Sequence, residues 1–178
     1  MIELWVEKYR PTTLEEYVGN ETIKNKIADY LKQGSIQNLL FHGVAGTGKT
    51  TLAKLIAKNL NCDLLYINAS DERGIDTIRE KIIPFASTVS FNDVKIVILD
   101  EADYITPQAQ ATLRNTIESC SKTTRFILTC NYLERIISPL QSRCQTFEII
   151  PPSKTEVIEH VSDITAKEAM LEVSVNDI

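Results

Sequence analysis

The chain has 178 residues, 43% hydrophobic and 24% charged, the balance of a soluble globular protein with one full core and part of a second unit. Its formal net charge of −5 excludes the uniformly basic surface of a domain dedicated to coating nucleic acid, while leaving room for a local basic patch. Cys62, Cys120, Cys130 and Cys144 form no C-x-x-C pair, which argues against a zinc site and for reduced thiols in a cytosolic-type compartment; the N-terminus lacks a signal-peptide core, and no run is long enough to span a membrane.

In chain order, residues 1–19 read as an extended arm. Pro11 restricts Arg10 to extended geometry, and Trp5, Tyr9 and Tyr17 are large groups in need of something to cover. Asn20 is expected to cap a helix over 21–33 with Ile23, Ile27 and Leu31 on one face, stopped by Gly34. A strand at 39–42 then leads into Gly43-Val44-Ala45-Gly46-Thr47-Gly48-Lys49-Thr50, which fits G-x-x-x-x-G-K-[ST]. A helical run begins with Thr51 behind it. Strand, glycine loop and helix are the context in which backbone N–H groups wrap a phosphate. Lys49 is placed to reach the β- and γ-phosphates, and Thr50 to put its hydroxyl on Mg²⁺.

The second strand is expected at 64–67, ending in Asn68, and a helix at 75–86 with Ile75, Ile78, Ile82 and Ile83, which Pro84 should end or bend. Strand three, 94–99, is apolar enough to be buried on both faces of a parallel sheet and ends in Asp100-Glu101. Thr106 caps a helix with Pro107 at its first position, running to Ser119. Strand four, 125–130, ends at Asn131; a short helix covers 133–142, and 145–149 alternates as an edge-like fifth strand. Pro151-Pro152 mark a boundary, so residues 1–150 are expected to form the core and 151–178 the beginning of a helical unit. In that unit Val157, Ile158, Val161 and Ile164 are the apolar members.

Strands alternating with helices predict an α/β three-layer sandwich around a five-stranded parallel sheet. Ligands of such sheets sit off the carboxyl ends of the strands, where the glycine loop, Asn68, Asp100-Glu101 and Asn131 all fall. Asp100 occupies the position of a metal-holding carboxylate, and Glu101 can polarise a water for in-line attack. Asn131 reads equally as a turn residue or as a sensor of the γ-phosphate. Arg143, in Ser142-Arg143-Cys144, reads as a surface cation or as an arginine finger acting in trans on a neighbour.

Together these stretches resemble the AAA+ family and, within it, the small subunits of replication factor C and their phage counterparts. The matching segments are 5–11, 17–21, 43–50, 68–74, 99–103, 124–131 and 139–144. The resemblance implies that Val6, Arg10 and Val18 line an adenine and ribose pocket with Tyr9 nearby, and that Gly43 to Thr51 hold the phosphates. It further implies that Asn131 is a sensor and Arg143 the trans finger. ATP and Mg²⁺ would be the cofactors; the partners would be other clamp-loader subunits, a sliding clamp and primer–template DNA, in the cytoplasm or a eukaryotic nucleus. Helix starts near Asp76 and Pro107 would touch DNA, with Arg79 and Gln108 as candidates. Two departures stand out. The chain has Arg114-Asn115 where the family shows two arginines, and it has no arginine after Arg143, so it is expected to end within the helical lid. A related branch-migration motor or checkpoint clamp loader, or a scaffold without hydrolysis, are the alternatives.

Overall fold

A computed structural model describes residues 4–90 and 92–176; the side chains of Val6 and of 170–176 lie outside that description. Five strands form one parallel sheet: β1 (Leu39–His42), β2 (Cys62–Asn68), β3 (Val94–Asp100), β4 (Thr124–Cys130) and β5 (Gln145–Glu148), in the order β2-β3-β4-β1-β5. The register sets Asn68 beside Asp100, Leu99 beside Leu128 and His42 beside Cys130, so the carboxyl ends of four strands finish level.

Strand periodicity divides the core in two. Leu40, Val97, Leu99, Phe126 and Leu128 face one layer with Ile78, Ile82, Leu113 and Ile117. Their strand neighbours Leu39, Phe41, Ile96, Ile98 and Ile127 face the other, with Ile27, Leu52 and Ile56. Each of these side chains is 2% exposed or less. At about 1.5–3 kcal/mol per fully buried aliphatic side chain, the two half-cores provide the main driving force for the sandwich. The helices are α1 (Trp5–Lys8), α2 (Glu21–Lys32), α3 (Lys49–Lys58), α4 (Ile75–Thr77), α5 (Ile83–Ser87), α6 (Pro107–Ser119), α7 (Ser138–Gln141) and α8 (Lys154–Asn176). Thr106 caps α6 as expected, its hydroxyl accepting from Ala109 N.

Four local readings change. The arm is not extended throughout, since Trp5–Lys8 form a helical turn. Asn20 does not cap α2 with its side chain. It takes a left-handed conformation (φ 56°), and its carboxamide both donates to Ile150 O (3.0 Å) and accepts from Ile150 N (3.1 Å), tying the start of α2 to the exit of β5. Pro84 does not end its helix: a π-turn over Ile78–Ile82 joins α4 to α5, and Pro84 falls in the first turn of α5, where no N–H is needed. The predicted 133–142 helix is a 3₁₀ turn (Leu133–Arg135) followed by α7. The helix expected after Pro152 forms as α8; its Val157, Ile158 and Val161 are exposed, while Glu156, His160 and Ile164 line the groove against the arm. Lys8 and Tyr9 of the arm bond Glu168 of the same helix.

The four cysteines are unpaired, and burial pushes the Cys130 and Cys144 thiols up to about 12. Among the described residues no helix is long and apolar enough to cross a membrane.

Candidate active site

The glycine loop emerges from β1 and turns into α3 against two fixed surfaces. Gly43 has φ +139°, and a Cβ there would lie 2.3 Å from the carbonyl oxygen of Ile149, which is backbone and cannot move aside. Gly48 has φ +87°, and a Cβ there would lie 2.9 Å from the ring of Tyr17. Tyr17 is 3% exposed and its hydroxyl donates to Thr47 O (3.1 Å), so the ring is a floor beneath the loop. Burial pushes this phenol up to about 12, which keeps it a donor at neutral pH.

Lys49 is 7% exposed, with its ammonium donating to Gly43 O (2.8 Å) and Val44 O (2.7 Å). Burial lowers its pKa from 10.5; Cys130, Asp103, Asp100 and Glu101 act in the opposite direction. At the end of β3, Asp100 is 6% exposed and accepts three hydroxyls. Thr50 (2.7 Å) and Thr129 (2.5 Å) donate to Oδ1, and Tyr66 donates to Oδ2 (2.8 Å). Glu101 follows in the left-handed region (φ 55°), its N–H donating to Thr129 Oγ1 (3.0 Å). That conformation costs a non-glycine residue about 1–2 kcal/mol. The nearby Asp103 carboxylate is buried, with no hydrogen-bond partner among the described residues.

Lys49, Thr50, Tyr66, Asp100, Glu101 and Thr129 line a cleft of about 540 Å³ with Arg10, Ala45, Gly46, Gly48, Thr51 and Asn131. Val44 and Thr47 complete the loop, Val44 60% exposed at its tip and Thr47 donating to Val44 O (3.0 Å). Tyr9, Arg10 and Val18 line an adjoining groove of about 590 Å³ between the arm and α8, so Arg10 borders both spaces. Lys8 Nζ bonds Glu168 (2.6 Å) and the Tyr9 hydroxyl bonds the same carboxylate, which ties the arm to α8. The side chain of Val6 lies outside the described residues.

The site fits a metal–triphosphate. The Thr50 hydroxyl and the Asp100 carboxylate are hard oxygen donors brought together at one point. Among the described residues no cluster of three or more His, Cys, Asp or Glu could hold an ion alone, so phosphate oxygens and water would complete the coordination.

Arg143 is not in this cleft. Its carbonyl accepts from Asn38 Nδ2 (3.3 Å), one residue before β1, whereas the glycine loop starts one residue after β1. The strand puts roughly 13 Å or more between them. Arg79 and Gln108 are exposed near the starts of α4 and α6. Arg114 donates to Asn115 Oδ1 (2.7 Å from Nη2), so the asparagine occupies its neighbour.

Three supporting residues escaped the sequence reading: Tyr17, Tyr66 and Thr129. Thr129 had a signal, a hydroxyl inside an otherwise apolar strand one residue before the level end. Tyr66 had only its place two residues before Asn68. Tyr17 had none that separates a loop floor from any buried aromatic.

Residues 39–152 match the family described as ATPase family associated with various cellular activities (AAA). The replication factor C small subunit of Haloarcula marismortui is 47% identical over 173 residues, spanning 93% of this chain and 53% of the relative. The one from Archaeoglobus fulgidus is 46% identical over 175 residues, spanning 94% and 55%. The chain thus spans about half the length of the curated relatives it matches. Among solved structures, the RuvB Holliday junction branch migration motor of Thermotoga maritima shares the fold, with a TM-score of 0.74 at 20% identity over 90% of this chain and 55% of that one. With the glycine loop, the paired acids and the level strand ends in place, and the match spanning most of the sequence, the chain belongs to the AAA family of ATPases.

Proposed function

We propose that the chain is the nucleotide-binding core of a sliding-clamp loader subunit, which hydrolyses ATP to load the clamp onto primer–template DNA. The observation that carries this is the identity of 46–47% to replication factor C small subunits across nearly the whole chain. It is supported by intact Lys49, Thr50, Asp100 and Glu101 around one cleft. The branch-migration alternative is weaker, resting on fold similarity at 20% identity. A scaffold without hydrolysis would not need Glu101 held in a costly conformation beside the metal position.

In this reading Lys49 leaves the Gly43 and Val44 carbonyls for the β- and γ-phosphates. Thr50 and Asp100 would hold Mg²⁺, which when bound would supply neutralising charge on the phosphates. Glu101 orients and deprotonates the attacking water, and Asn131 reports the γ-phosphate. Val6, Tyr9, Arg10 and Val18 receive the nucleoside, and α8, in residues 151–178, belongs to a lid over it. Arg143 completes the site of the adjacent subunit, which its distance from its own glycine loop supports. Arg79 and Gln108 contact the DNA backbone. The test is hydrolysis by the assembled complex: clamp plus primer–template DNA should accelerate it several-fold, and an unaffected rate would reject the clamp-loader reading.

A further inference from the structure

Strand β2 is one of the two edge strands of the sheet, yet it contributes a side chain to the cleft. Tyr66 stands on it, 39% exposed, in register with Ile98. Its hydroxyl crosses to the adjacent strand and donates to Asp100 Oδ2 at 2.8 Å. The Lys54 ammonium lies 4.4 Å from its ring centroid, and both residues line the cleft. The ring is therefore held from α3 while its hydroxyl holds the carboxylate.

The two oxygens of Asp100 are unequally committed. Oδ1 is shared between Thr50 and Thr129, on the side facing the loop. Oδ2 has the Tyr66 hydroxyl. A phenol donating to a carboxylate is a charge-assisted bond and resists rotation of the group.

We propose that Tyr66 is a positioning residue for the metal: by occupying Oδ2 it turns Oδ1 of Asp100 toward Thr50, fixing the geometry in which Mg²⁺–nucleotide is received. The proposal rests on the nucleotide-site reading above. Outer-shell partners of this kind typically change metal affinity or activity by about 10–100-fold.

Tyr66→Phe keeps the ring and its Lys54 contact and removes only the hydroxyl. Calorimetric titration of the assembled protein with ATP, once with Mg²⁺ and once with EDTA, separates the two contributions. The variant is expected to lose about tenfold of the affinity gained from Mg²⁺, while its affinity in EDTA stays unchanged. An unchanged Mg²⁺-dependent gain would overturn the proposal, as would an equal loss in both conditions, which marks a general structural role. If the unaltered protein shows ATP affinity in EDTA but no gain from Mg²⁺, the positioning role alone falls. If it shows no ATP affinity in either condition, the nucleotide-site reading falls with it.

Discussion

Arg143 and Glu118 are ion-paired at the end of the sheet opposite the glycine loop, Arg143 Nε donating to Glu118 Oε1 at 2.6 Å. The guanidinium also donates to Pro139 O (2.5 Å). The pair is half-exposed, so its stabilising effect is small. Glu118→Ala is expected to change unfolding free energy by about 1 kcal/mol or less, read by urea titration. A much larger loss would mean that the pair is a structural tie instead of a resting place for the finger.

The proposed trans role of Arg143 gives a complementation test. Assemblies carrying only Arg143→Ala, or only Lys49→Ala, should not turn over ATP. Mixing the two should restore hydrolysis at interfaces where an intact loop meets an intact finger. Arg143→Ala should leave its own subunit's nucleotide affinity within about twofold, since charges this far apart are screened. A large affinity loss would argue for a role in cis.

Gly43→Ala should destabilise the fold by about 2 kcal/mol or more, a fall in unfolding midpoint of roughly 4–8 °C. The cause is a left-handed φ combined with a Cβ 2.3 Å from Ile149 O. Thermal unfolding monitored by circular dichroism checks this; a midpoint within 2 °C of the unaltered protein would show that the loop relaxes freely.

Gln110 is 1% exposed and joins three backbone groups: it donates to Ile105 O (3.1 Å) and Arg135 O (2.9 Å) and accepts from Ile137 N (2.8 Å). Gln110→Ala removes all three bonds and leaves a hole. The expected cost is about 3 kcal/mol, measured by urea unfolding. A cost below about 1 kcal/mol would show that water replaces the amide.

Lys49 gives the pH dependence. Its folded-state value lies below 10.5 because the ammonium is buried, so it loses its proton earlier than a free lysine. A bound triphosphate would raise that value, and binding would then take up protons. Nucleotide affinity should be highest below the lowered value and fall with rising pH between it and the bound value, by up to about tenfold per unit. The nucleotide-free fold should behave oppositely, gaining stability as pH rises through the lowered value toward 10.5, since the unfolded chain binds the proton more tightly. Lys49→Ala should flatten both slopes; an unchanged affinity slope would assign the titration to another group.

The sheet, its burial and the site were legible where side-chain pattern alone dictates the outcome. Four apolar strands followed by polar ends forced a parallel sheet with its ligand edge, and the loop out of β1 sets Thr50, at the start of α3, against Asp100 at the end of β3. What could not be read came from partners distant in the chain. Asn20 looks like a helix cap until Ile150 arrives beside it, 130 residues later. Pro84 breaks an isolated helix, yet a buried Ile78 and Ile82 hold the turn around it together. Tyr66 and Thr129 gain their roles only when three strands align on one carboxylate.

The central claim is that ATP is cleaved at the level strand ends with Glu101 as the base. Single-turnover hydrolysis by the assembled complex carrying Glu101→Gln tests it most directly. ATP should be bound as tightly as by the unaltered protein while its cleavage slows about 100-fold or more. Cleavage at the unaltered rate would contradict it.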